Sequence, residues 1–291
     1  MEWKADWGLR FRMFVTMLLL TGLYLVFIAA LTVYLGGGMT SIVLVFALFA
    51  GAQWYFSDSL TLWSMGAREV DESEYPELHG MVRRLSQQAD VPVPKVAVVD
   101  SRVPNAFATG RTQKHSAVCV TTGLMNTLNR EELEGVIAHE LSHVKNRDVM
   151  VMTVASFLST IAFLIFRFGF WFGGGRDRNN GGILVAIGVS LLVWILSYLL
   201  IRALSRYREF AADRGAATIT GQPSALASAL MKISGRMESV PTEDMRDQAE
   251  MNAFFIIPVS AGALTRLFST HPSTERRIEA LQRLEREMET A

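Results

Sequence analysis

The stretch Gly135–Val144 reads Gly-Val-Ile-Ala-His-Glu-Leu-Ser-His-Val, with histidines at 139 and 143 and a glutamate at 140. On an α-helix, residues four apart lie about 40° apart around the axis, one turn above the other. Two imidazoles placed in this way can reach one tetrahedral cation, and Glu140 can face a water held by that cation. A helix is expected here. Asn129-Arg130-Glu131-Glu132 makes a capped start, and Leu133, Val136, Ile137, Leu141 and Val144 form an apolar stripe of period 3.6. The bland alternative is an amphipathic helix that happens to carry two histidines. With five histidines in 291 residues, this spacing beside a glutamate is a rare coincidence.

A catalytic zinc takes three protein ligands and keeps a fourth position for water. The third ligand is expected from Ser205–Ala216, where Glu209 and Asp213 again stand four apart on one helical face. Glu209 can complete the metal triad, and Asp213 can accept the second N–H of a ligating histidine and fix its tautomer. The competing reading is a charged helix in which Arg206, Arg208 and Arg214 pair with acids. The small residues Ala211, Ala212, Ala216 and Ala217 favour close packing against another helix instead. Near the C-terminus, His271 precedes a proline that opens the last helix, with Ser273 and Glu275 in its first turn. His271 can donate a hydrogen bond to an oxyanion, and Arg277 can do the same or anchor the site. The alternative there is helix capping beside a surface cation.

The elements that must position these residues follow from composition and pattern. Half the chain is apolar, 19% is charged and formal net charge is zero, so no nucleic-acid partner is indicated. The single cysteine, Cys119, excludes an internal disulfide, fits a reducing compartment and reads as a buried strand residue. Glu74–Asp90 has the spacing of an amphipathic helix through Leu78, Met81, Val82 and Leu85. Lys95–Asp100, Asn105–Gly110 and Ala117–Thr121 read as short strands, the last two around a polar turn at Arg111–Ser116. A strand edge beside the metal helix can hold an extended peptide by main-chain hydrogen bonds, or the sheet can simply cover a core. Pro223 opens a further helix whose Leu226, Leu230 and Ile233 pack inward, and Ala253–Leu267 is apolar but broken by Pro258.

Met13–Ser57 contains no charged residue, and Gly36-Gly37-Gly38 splits it into runs of about 23 and about 19 residues, each able to cross a bilayer. Val149–Phe166 is a second uncharged run. Arg167, an aromatic cluster and a glycine-rich turn (Gly173–Gly182) follow, and then Ile183–Ile201, closed by Arg202. The expected organisation is an N-terminal tail (1–12), a transmembrane hairpin (13–57), a polar segment with the metal helix (58–148), a second hairpin that spans the membrane or else is buried or partly inserted (149–201), and a second polar segment (202–291). Four crossings put both termini and both polar segments on one side. Lys4, Arg10, Arg12, Arg202, Arg206 and Arg208 mark that side as cytoplasmic, against Arg167, Arg176 and Arg178 opposite.

His139-Glu-Leu-Ser-His143, Glu209-Phe-Ala-Ala-Asp213 and Ser269-Thr-His-Pro-Ser273 occur in the order seen in HtpX-type membrane zinc endopeptidases. Asn105–Gly110 and Val120–Gly123 also resemble that family, and the likeness runs from the first apolar run to the last helix. The CAAX prenyl endopeptidases share the zinc motifs but have more membrane segments. The resemblance implies a mainly α integral membrane protein of four transmembrane helices, with a cytoplasmic α+β gluzincin-like metalloprotease domain carrying a small β-sheet. It implies one zinc ion per chain on His139, His143 and Glu209, with Glu140 as base and Asp213 behind a ligand. It also implies that His271 and Arg277 assist the transition state and that Asn105, Ala106, Phe107 and Ala108 bind substrate backbone. Implied too are an inner-membrane location and membrane or unfolded protein substrates in quality control under stress. The rival functions are a non-catalytic membrane adaptor on the same scaffold and a prenyl-protein endopeptidase.

Overall fold

The computed structural model describes residues 7–35, 39–152, 155, 159–163, 166, 180–238 and 272–290. In chain order its elements are α1 (Trp7–Leu35), α2 (Met39–Ser64), β1 (Arg68–Glu69), α3 (Pro76–Ala89), β2 (Lys95–Val99), β3 (Ala106–Thr112) and β4 (His115–Thr121). After these come α4 (Thr122–Thr127), α5 (Arg130–Asn146), α6 (Asn180–Thr220), α7 (Pro223–Glu238) and α8 (Thr274–Glu289). The chain divides into two compact units. One takes in Phe56–Met150 with Ser205–Ala291, and the other Trp7–Tyr55 with Val151–Leu204.

In the first unit the four strands lie in the order β1-β2-β4-β3. β2 and β4 are parallel, while β3 and β4 form an antiparallel hairpin whose turn is tighter than the polar stretch suggested. Gly110, at φ +147°, sits at the irregular register of that hairpin. A Cβ there would lie 2.4 Å from the His115 carbonyl oxygen, so only glycine fits. Residues alternate between the two faces of the sheet, as a pleated strand requires. Val96, Val98, Ala106, Val118 and Val120 join the main core with α3, α5 and α7. Ala97, Val99, Phe107 and Cys119 turn the other way, against Leu62, Met65 and Ala67. Burial, with a smaller push from the Glu140 charge, raises the Cys119 thiol to about 12, consistent with a packing role.

α5 is fixed at both ends. Asn129 and Glu132 form a reciprocal capping box, and Glu132 also accepts from Ser228 Oγ (2.7 Å) and Lys232 Nζ (2.8 Å) on α7. At the other end Arg147 adopts the left-handed conformation (φ 56°) and stops the helix. Gln113 donates to the Lys145 carbonyl (3.0 Å), and Lys145 Nζ reaches the Ala89 carbonyl (2.8 Å). Gly135 packs against the Leu226 backbone, where an added Cβ would lie 3.1 Å from Leu226 N, so α5 and α7 approach closely.

The second unit has a core of Leu20, Tyr24, Phe27, Ala155, Ala162, Val193 and Leu204, and Tyr24 donates to the Ala155 carbonyl (2.5 Å). Among the described residues one helical stretch, Ile187–Thr220 (34 residues), is long and apolar enough to cross a membrane, and Phe14–Ala29 is a shorter apolar helix. The polypeptide at 167–179 and most of 153–165 lies outside the described residues, as do Gly36–Gly38 and the apolar stretch 253–267. One expectation is corrected. The glycine-rich turn does not reach Gly182, because α6 begins at Asn180. The apolar run ends at Arg202, while the helix that carries it continues unbroken to Thr220. Arg202 is buried and its guanidinium lies over the Tyr198 ring (5.2 Å to the centroid), so the helix accommodates the charge instead of stopping at it.

Candidate metal centre

Three donor side chains meet inside the first unit. His139 and His143 come from consecutive turns of α5 and Glu209 from α6, and all three are buried, with one ligand atom from each within 4.8 Å of the others. The two rings stand edge to face, 4.7 Å between centroids. Their Nε2 atoms are 3.2 Å apart; that of His139 lies 3.6 Å from Glu209 Oε2 and that of His143 lies 3.6 Å from Glu209 Oε1. Four-coordinate zinc with ligands at about 2.0–2.2 Å holds its ligand atoms about 3.3–3.6 Å apart. Two imidazoles and one carboxylate at these separations fit that ion.

Each histidine turns its other nitrogen to a buried carboxylate. His139 Nδ1 lies 3.0 Å from Asp213 Oδ1, and His143 Nδ1 lies 2.6 Å from Asp148 Oδ2. An arginine stands behind each carboxylate. Arg277 grips Asp213 through both Nε (2.9 Å) and Nη2 (2.6 Å), and Arg208 Nε lies 3.2 Å from Asp148 Oδ1. Burial disfavours both carboxylates in their charged form, but the Arg277 charge beside Asp213 and the Arg208 charge beside Asp148 outweigh it, and both stay below the usual carboxylate range. Burial likewise opposes a charged His139, yet hydrogen bonds to Asp213 and Glu209 raise it to about 9 in the metal-free site.

Glu140 is buried next to the ligands. Burial raises its carboxyl above the usual range, while the neighbouring His139 and His143 and a hydrogen bond from the Ala108 backbone pull it back in part. A carboxylate held in this way has more affinity for a proton than one in water, which suits a base.

The remaining candidates fall in different places. β3 is an edge strand among the described residues and packs along α5. Ala108 reaches Glu140, whereas Phe107 is buried on the far face of the sheet and Ala106 in the main core. Asn105 is buried, its backbone exchanging hydrogen bonds with Thr121 (N–H to Oγ1, 2.9 Å; carbonyl from Thr121 N, 2.9 Å). Arg277 is 1% exposed, with its guanidinium on Asp213 and Nη1 3.4 Å from Glu209 Oε2. His271 lies outside the described residues. Asp148 was not among the sequence candidates, although its position five residues beyond a ligating histidine was visible. Arg208 was read there as a charge flanking the membrane or paired with an ordinary acid.

A model of peptidase family M48 matches residues 72–285. The chain is 56% identical to protease HtpX homolog 2 of Methanosarcina mazei over 291 residues, covering 99% of each chain. It is 55% identical to a protease HtpX homolog of Moorella thermoacetica, covering 98% of this chain and 97% of the relative. The crystal structure of S. mikatae Ste24p shares the fold, with a TM-score of 0.56 at 18% identity, over 94% of this chain and 66% of that one. Since the family match spans most of the chain and its relatives align with it end to end, this chain belongs to peptidase family M48, and its chemistry is that of a zinc metalloprotease.

Proposed function

We propose that the protein is a membrane-anchored endopeptidase with one zinc on His139, His143 and Glu209, acting on membrane and unfolded proteins in quality control. The observation that carries this reading is the convergence of those three donors beside a buried Glu140. When bound, zinc supplies a Lewis acid that lowers the pKa of a water and polarises the scissile carbonyl. Glu140 accepts the proton of the attacking water and passes it to the leaving amine, for which its raised proton affinity is suited. Asp213 holds the Nδ1 proton of His139 and so directs Nε2 inward. Of the two uses open to Arg277, its contacts favour anchoring: it neutralises Asp213 and stands beside Glu209. His271 remains the candidate donor to the oxyanion. The outer edge of β3 around Ala108 offers main-chain groups to an extended substrate.

Four crossings within 13–57 and 149–201, with both termini and both polar segments (58–148 and 202–291) cytoplasmic, complete the reading. It is supported by the apolar span in α6, by the relatives' full-length match and by the shared fold with Ste24p. The test is β-casein cleavage by detergent-purified protein, metal-free against zinc-loaded, with Glu140→Gln alongside. Zinc-dependent cleavage lost in the variant is expected. Zinc-loaded protein that cuts nothing turns the reading to an adaptor, and strong preference for a prenylated peptide over casein turns it to a prenyl endopeptidase.

A further inference from the structure

The second carboxylate–arginine pair has no place in the scheme above. Asp148 lies outside α5, just past the left-handed residue Arg147 that ends it, and this reversal returns its carboxylate to the last turn. There Oδ2 sits 2.6 Å from His143 Nδ1, with the side chain 1% exposed. Arg208 immediately precedes Glu209 on α6, so adjacent residues of one helix address Asp148 and the donor cluster. We propose that Asp148 and Arg208 are a positioning pair for His143. They set its tautomer and ring plane so that the Nε2 lone pair faces the metal, and they match on the second histidine what Asp213 and Arg277 do on the first. The proposal rests on the reading of His143 as a ligand.

The physical grounds are threefold. An ionised carboxylate only accepts, so Nδ1 must carry the hydrogen, and in the neutral ring that ligates a metal Nε2 then carries the lone pair. A free imidazole rotates about χ2, and a 2.6 Å contact to a buried group removes that freedom. A buried carboxylate without a cation would take up a proton or turn to water, and the Arg208 guanidinium, largely buried itself, prevents both. A purely structural Asp148, one that only closes the end of α5, predicts loss of fold stability with no change in how the folded protein holds metal.

The experiment measures zinc affinity by chelator competition on detergent-purified, metal-stripped protein, with the visible absorption of the cobalt(II)-loaded form as a second readout. Asp148→Ala is expected to bind zinc about 10–100-fold more weakly than wild type and to change the cobalt band while still folded, even though the unpaired Arg208 lowers its metal-free Tm. Arg208→Gln should weaken zinc less, and Arg208→Lys should restore much of the loss. His143→Ala separates the two readings. If it binds zinc as wild type does, the ligand assignment fails. If it loses zinc while folded Asp148→Ala keeps wild-type affinity and cobalt spectrum, the positioning proposal fails alone. Where Asp148→Ala does not fold, Arg208→Gln decides, and unchanged zinc affinity there overturns the proposal.

Discussion

In the unit built from Phe56–Met150 and Ser205–Ala291, charged groups are inside: Glu140, Asp148, Glu209, Asp213 and Arg277 are all buried. In the unit built from Trp7–Tyr55 and Val151–Leu204, large apolar side chains are outside, among them Phe14, Leu18, Leu25, Leu48, Leu192 and Leu199. There the buried set includes Thr16, Ser159, Ser190 and Ser197. The first unit adds a four-stranded sheet to its helices, while the described part of the second is helical; the sharper difference is which groups each turns outward. The first tolerates buried charge because each carboxylate behind a histidine has its own arginine. The second presents large apolar side chains outward, a surface that suits hydrocarbon, and turns hydroxyls inward.

Four substitutions and titrations would break or sharpen this contrast. The largest effect is expected at the buried charge that does chemistry: Glu140→Gln should lower turnover by about 10²–10⁴-fold while zinc content, read by atomic absorption, stays the same. Next comes packing. Leu230→Ala, in the first unit's core, should cost about 2–5 kcal/mol in denaturant unfolding, whereas the same change at exposed Leu192 should leave detergent-state stability nearly untouched. If Leu192→Ala costs as much, the second unit's outer face is packed against protein. Third, Leu192→Arg should cost about 2.5–3.5 kcal/mol in a membrane-insertion assay, and an insertion efficiency equal to wild type would remove the lipid-facing assignment. The smallest effect is protonic. His139 is raised to about 9 in the metal-free site, so zinc uptake near neutral pH should release about one proton, measured by calorimetry in buffers of different ionisation heat. For the metal-free fold the same raised value contributes stability that is complete below about pH 6.5 and fades as pH rises through about 9. A metal-free Tm that does not fall over that interval would contradict it.

What the sequence disclosed and what it hid divide along physical lines. α5, its capping box and the pairing of Glu209 with Asp213 on one face were legible because helix period and cap chemistry are local. The alternating strands were legible for the same reason, while β1, two residues long, carries too little pattern to read. Asp148 was hidden because a left-handed residue intervenes, and no periodicity extends through such a turn. For Arg202 and Arg208, residue type gives charge but not burial. Both are counted among six cations on one side of the membrane, yet both are largely withdrawn from solvent in the fold.

The double fastening of α5 has a consequence for removal of the ion. Its first turn is tied to α7 through Glu132, and its last to the sheet hairpin and α3 through Lys145 and Gln113, none of them a metal donor. Because none of these contacts uses a metal donor, loss of the ion would not by itself undo them. Stripping the metal is therefore expected to abolish cleavage while these fastenings, and the helix they hold, persist.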